Sequence, residues 1–96
     1  MGKIIGHFAL ALQGFCKVKA PNNCAFLSVA QHASGDNVVY TWLNSEHNES
    51  AIVEYNFYCA FTGEQLPEQV RNVAQYIGTI QRKDGLVVHV FQLEKF

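Results

Sequence analysis

The sequence predicts a mainly β (β-rich α+β) domain, a small antiparallel sandwich or partly closed barrel of about seven strands with one short helix. Three observations carry this. Apolar residues alternate with a period of two along most of the chain, and turn-forming clusters separate the runs every dozen residues or so. A single segment carries helical spacing instead, too little helix to cover a parallel sheet.

The elements follow in order. Two weaker strands are expected over 3–12 and 15–19, then a turn over 20–23, where Pro21 and Asn22 pre-set or tolerate the reversal. Stronger runs occupy 25–30 and 38–43, separated by Ala33-Ser34-Gly35-Asp36-Asn37. The polar stretch 44–50 reads as a solvated loop. In 51–61 the odd positions are Ala51, Val53, Tyr55, Phe57, Cys59 and Phe61, whereas Glu54 and Asn56 fall on the other face. Within 64–73, Leu66, Val70 and Val73 recur at helical spacing, Pro67 suits a first turn, and Glu68 suits a helix N-terminus. Tyr76-Ile77-Gly78-Thr79 begins another strand. Lys83-Asp84-Gly85 signals a hairpin, in which Asp-Gly fits a type I′ turn. The β-branched run 86–93 reads as a central strand covered on both faces.

Size and charge bound the function. The 96 residues have room for one domain, 1–96, and 49% apolar against 16% charged residues argues for a folded core. Seven Lys+Arg against eight Asp+Glu leave a net charge of −1, which disfavours a nucleic acid polymer as partner. No apolar run approaches the roughly 20 residues of a membrane span, and Met1–His7 does not read as a secretory signal. Cys16, Cys24 and Cys59 match neither a zinc pattern nor a disulfide framework, and Cys59 reads as a small core residue. A cytosolic protein without metal or other cofactor is expected.

Chemistry-bearing residues are few. A nucleophile elbow, a paired-histidine helix and a phosphate-gripping loop are all missing from the sequence, so catalysis is not expected. His89, between Val88 and Val90, is either a hydrogen-bonded core histidine or an orienting group in a dry pocket. Thr62-Gly63 and Gly78-Thr79 pair a glycine with a hydroxyl. Such steps let a ligand approach the backbone, or they are simply a strand-end turn and a bulge or close strand crossing. Tyr40 and Trp42 share one face of their strand. They fill a core, or form a stacking platform that Tyr55, Tyr58 and Tyr76 could extend. Lys17, Lys19 and Arg82 could neutralise one or two phosphates, although lysines also protect a sheet edge.

Several of these segments carry a family likeness. Leu27-Ser28-Val29-Ala30-Gln31, Tyr40-Thr41-Trp42-Leu43, Thr62-Gly63-Glu64, Tyr76-Ile77-Gly78-Thr79-Ile80 and Val87-Val88-His89-Val90-Phe91 occur in that order. Together with Pro21 they resemble a family of small single-domain proteins of uncharacterised function, encoded mainly by bacteriophages. The likeness spans residues 3–94 and departs in the 44–50 loop and at Glu64, where a histidine is often seen. It implies a phage accessory protein in the host cytoplasm that counters host immunity. By analogy with nucleotide sponges, the expected function is non-enzymatic sequestration of a cyclic nucleotide signal of the CBASS or Thoeris type. The expected ligand-binding set is Tyr40, Trp42, Thr62, Gly63, Gly78, Thr79, His89, Lys17, Lys19 and Arg82. A small sandwich has little room for a deep pocket, so a homo-oligomer, dimer or higher, is expected to build the site between copies. The alternatives are a protein–protein module that inhibits a host factor and a small hydrolase.

Overall fold

The computed structural model describes residues 3–22, 24–44 and 52–93. Its elements run β1 (Lys3–Leu10), β2 (Gly14–Pro21), β3 (Ala25–Gln31), β4 (Asn37–Asn44), β5 (Ile52–Phe61), α1 (Glu68–Val73), β6 (Gln75–Gln81) and β7 (Val87–Gln92). The polar loop expected over 44–50 lies, beyond Asn44, outside the described residues. All strand pairing is antiparallel, in a three-stranded sheet ordered β1-β4-β3 and a four-stranded sheet ordered β2-β5-β7-β6. Among the described residues no strand of one sheet pairs with a strand of the other, so the fold is sandwich-like and not a closed barrel.

Alternation decides what lies between the sheets. From β5 the inward set is Tyr55, Phe57 and Cys59, joined by Val88 and Val90 of β7, Val18 and Ala20 of β2, and Val39 of β4, all buried. Phe26 of β3 crosses the gap and meets Tyr55 and Phe57 edge-on, with ring centroids 4.9 and 5.1 Å away. The slab measures 43 × 32 × 15 Å, a thickness that accommodates one interdigitated layer of side chains.

The helix explains why β5 is buried on both faces near its end. α1 starts after Pro67 and brings Val70, 2% exposed, onto Tyr58 and Ala60 on the outer surface of the four-stranded sheet. Leu66, Ala74, Phe91 and Leu93 complete that second cluster. Burying one valine there contributes about 2 kcal/mol. β7 is central, as expected, but its outward residues Val87, His89 and Phe91 are only half-buried because α1 is too short to cover them all.

The β6–β7 hairpin differs from the type I′ expectation. The Gly85 N–H donates to the Arg82 carbonyl and the Arg82 N–H to the Leu86 carbonyl. The chain therefore reverses through a three-residue loop closed by Gly85 at φ +91°, a glycine bulge. The β3–β4 turn repeats this pattern with His32, Gly35 and Asp36. Asp-Gly marks both loop types, and its sequence does not distinguish them.

Candidate functional site

Three strands of the four-stranded sheet bring together a line of polar side chains on its outer face. With Val88 and Val90 fully buried, alternation turns His89 and Phe91 outward. In register, His89 lies opposite Ala60 of β5 on one side and Thr79 of β6 on the other. A bulge between Tyr76 and Gly78 sets two β6 residues against one on β7. Tyr76 and Thr79 consequently share the outward face, although strict alternation would place residues three apart on opposite sides.

The side chains form a continuous hydrogen-bonded line. Thr62 Oγ1 lies 2.6 Å from His89 Nε2, and Thr79 Oγ1 lies 3.0 Å from His89 Nδ1. The Tyr76 hydroxyl bonds to Thr79 Oγ1, and the Tyr76 ring leans on Phe91 with centroids 5.7 Å apart. A neutral imidazole has one donor and one acceptor nitrogen, whereas each hydroxyl can serve either way. The tautomer of His89 therefore sets the direction of the whole line, and Tyr76, 54% exposed, forms its outer end. The arrangement can present coupled donors and acceptors beside an exposed ring.

Next to the line is an open depression of about 150 Å³, bounded by Thr62, Gly63, Glu64, Leu66, His89 and Phe91. The chain enters it through Gly63 at φ +90°, which lets the turn after β5 fold back. Glu64 is fully engaged. Its carboxylate accepts from the Tyr58 hydroxyl, from Gln13 Nε2 at 2.9 Å and from the Phe61 N–H at 3.0 Å. Chiefly through the Tyr58 bond, its carboxyl is held below the ordinary range, and the same bond pushes the Tyr58 phenol up to about 12. Glu64 is thus a structural clamp on this turn. Across α1 lies a larger open groove, about 290 Å³, lined by Phe15, Cys16, Lys17, Asn56, Gln69 and Leu93.

The residues expected to form one site divide into separate places. Thr62, Gly63, Thr79 and His89 come together. Tyr40 and Trp42 do share a face, but it is the outer face of the other sheet, opposite His7 and Ile5 of β1. They cannot stack on a ligand held by His89, because the whole sandwich lies between. On that face Trp42 is 40% exposed beside Ile5, 56% exposed, and the His7 ring stacks on His32 at 4.8 Å. Gly78 faces inward: a Cβ there would come within 3.0 Å of Val29 Cγ2, so it marks the close approach of β6 to β3. Lys17 and Lys19 lie on β2, separated from β7 by β5, and Lys17 pairs with Glu54 at 3.7 Å. Arg82 is committed to Asp84, the Gly35 carbonyl and Asn37, and ties two hairpin turns together. Tyr76 is the site residue that alternation misses, and the bulge that places it has no sequence signature beyond Gly78; Phe91 follows from alternation with His89.

Among the described residues no group of three or more His, Cys, Asp or Glu could hold a metal ion, and no helix is long and apolar enough to cross a membrane. Over residues 1–96 the chain matches the family described as a domain of unknown function (DUF7352). No curated protein and no solved structure matches it.

Proposed function

We propose that this chain, which belongs to the DUF7352 family of unknown function, is a binding domain that holds a small nucleotide without transforming it. The observation that carries the reading is the Thr62–His89–Thr79–Tyr76 line on an open sheet face beside the depression at Gly63. A base can stack on the exposed Tyr76 ring, and its polar edge or a ribose diol can exchange hydrogen bonds with the hydroxyls and imidazole. Because Arg82 is engaged elsewhere and Lys17 and Lys19 sit two strands away, the ligand carries few phosphates. The resemblance to small phage proteins supports a narrower reading: the ligand is a cyclic nucleotide signal of a host antiphage defence, sequestered in the host cytoplasm.

The test is calorimetric titration of the chain with cyclic di- and trinucleotides and ADP-ribose derivatives, repeated on Thr79→Val and His89→Ala. Saturable heat that both substitutions weaken supports the proposal, and flat heats across the set end it. Ligand recovered unmodified after heat denaturation of the complex separates sequestration from hydrolysis.

A second reading rests on a different observation, the adjoining exposed Ile5 and Trp42 on the three-stranded sheet. There the domain is a protein–protein module whose apolar face meets a host factor or another copy of itself. A single stoichiometric partner lost on Trp42→Ser would favour it.

A further inference from the structure

Cys16 and Cys59 lie outside the polar line and have their own geometry. In the β2–β5 register Cys16 faces Phe57 and Cys59 faces Gly14, so the two cysteines stand one diagonal step apart on the same inward face. The two thiols perturb each other's ionisation in opposite directions, Cys59 acting as a donor toward Cys16. A second donor, the Ala11 N–H, points at Cys16 Sγ from 3.4 Å. Cys59 is fully buried, whereas Cys16 is half-buried on an edge strand, next to the β1–β2 turn. The roles are therefore unequal: Cys59 donates and stays protonated, and Cys16 accepts.

The geometry points to a thiol–disulfide exchange site, in which Cys16 attacks a small-molecule disulfide and Cys59 resolves the product into an internal Cys16–Cys59 disulfide. In the first step the Cys16 sulfur bonds to one sulfur of the reagent, and the other leaves as a thiolate with the electron pair. In the second, Cys59 gives its proton to that thiolate and attacks the Cys16 sulfur, expelling the remaining half of the reagent as a thiolate that takes up from solvent the proton Cys16 released on ionising. Two protein thiols are oxidised, and one small disulfide is reduced to two thiols. The two donors at Cys16 favour its thiolate: the Cys59 bond first, and then Ala11, lower its thiol to about 7 against the opposing effect of burial. The Cys59 thiol is pushed up, by donating to Cys16 and by burial. Diagonal positions in a sheet stand about 7–8 Å apart. A disulfide wants roughly 4.4–6.8 Å between Cα atoms, so closure requires a small shear of β2 along β5. An edge strand can give that shear.

The experiment treats the chain with excess oxidised glutathione at neutral pH, quenches with acid, and reads intact mass and peptide maps. The expected wild-type product has lost two hydrogens and carries no adduct. Cys59→Ser should retain one glutathione on Cys16, Cys16→Ser should not react, and Cys24→Ser should behave as wild type. Since a substitution at buried Cys59 can unfold the chain, limiting iodoacetamide on the wild type gives an independent readout, with Cys16 alkylated ahead of Cys24 and Cys59. A persistent adduct on the wild type, equal labelling of the three cysteines, or reaction first at Cys24 overturns the proposal.

Discussion

Arg82→Ala tests whether this slab is held together at one end by a single guanidinium. Arg82 is 12% exposed in its side chain and sits at the β6–β7 turn. Its Nη1 donates to the Gly35 carbonyl at 2.9 Å and to Asn37 Oδ1 at 2.7 Å, both on the β3–β4 hairpin. Asn37 is 1% exposed and uses its amide to donate to the Ala11 carbonyl at 3.3 Å, which extends the tie to the end of β1. The Lys83 N–H, donating to Gln31 Oε1 at 2.7 Å, is a parallel but weaker link. The bonds to Asp84 are solvent-screened and are left out of the estimate.

Hydrogen bonds from a charged donor contribute about 1.5–3 kcal/mol each, and the buried Asn37 oxygen would find no water once orphaned. Allowing for relaxation of the exposed turn at Gly35, Arg82→Ala should destabilise the fold by about 3 kcal/mol. With a urea slope near 2 kcal/mol/M, that lowers the denaturation midpoint by about 1.5 M. Arg82→Lys keeps the charge but not the fork and should fall between the two. In a double-mutant cycle with Asn37→Ala the losses should couple by about 1–2 kcal/mol, because the second substitution removes the acceptor that the first left unpaired. A loss below about 1 kcal/mol for Arg82→Ala, or strict additivity with Asn37→Ala, would refute the reasoning.

Two further outcomes follow from the same geometry. Gly78→Ala pushes a methyl against Val29 Cγ2 and should cost about 1 kcal/mol in urea denaturation, with Val29→Ala restoring most of it. Glu64 has a folded pKa below its unfolded one, so its contribution is complete above about pH 4.3 and is lost as pH falls through the folded value. Tyr58 behaves oppositely: its contribution holds below about pH 10, the unfolded value, and is lost as pH rises toward about 12. Glu64→Gln should remove the acid-side slope and bring the tyrosinate absorbance titration of Tyr58 back toward the ordinary range. An unchanged Tyr58 titration would show that burial, not Glu64, raises it.

Much of the strand pattern is legible in the chain because alternation is a local property. The odd positions of β5 lie inward and the apolar run of β7 is central, as their spacing requires. What alternation cannot supply is the side of the sandwich. It tells that Tyr40 and Trp42 share a face, but that this face points away from His89 depends on how β4 pairs with β1 and β3, a non-local fact. Bulges are the second blind spot. One inserted residue in β6 brings Tyr76 onto the face of Thr79, and another register shift interrupts β3 between Phe26 and Ser28. The third is the covering helix: Leu66 and Val70 announce an apolar stripe, but only the packed chain shows that it lands on Tyr58 and Ala60. Gly78 reads from its sequence as a ligand approach, a bulge or a close crossing; it lies at the β6 bulge, and an added Cβ there would meet Val29, so both structural readings hold.

Thickness then constrains affinity. A slab 15 Å thick spends its interior on one layer of apolar side chains, so the polar line must work from the surface. Its neighbouring depression, about 150 Å³ in volume, is below the roughly 300–1,000 Å³ of sites that enclose a small ligand. A nucleotide held there would leave one side in water, and the hydroxyls and imidazole already satisfy one another, so each new hydrogen bond partly replaces an old one. Tight sequestration by a single copy is therefore unfavourable, and a second copy closing over the exposed side of the ligand would supply the missing burial. The consequence is measurable. If ligand and second copy bind together, the apparent Kd should fall as protein concentration is raised, and ligand should shift the chain to a larger species in light scattering. Tight binding with no dependence on protein concentration would show that one copy suffices, and would mean that the exposed face around Tyr76 rearranges to enclose the ligand by itself.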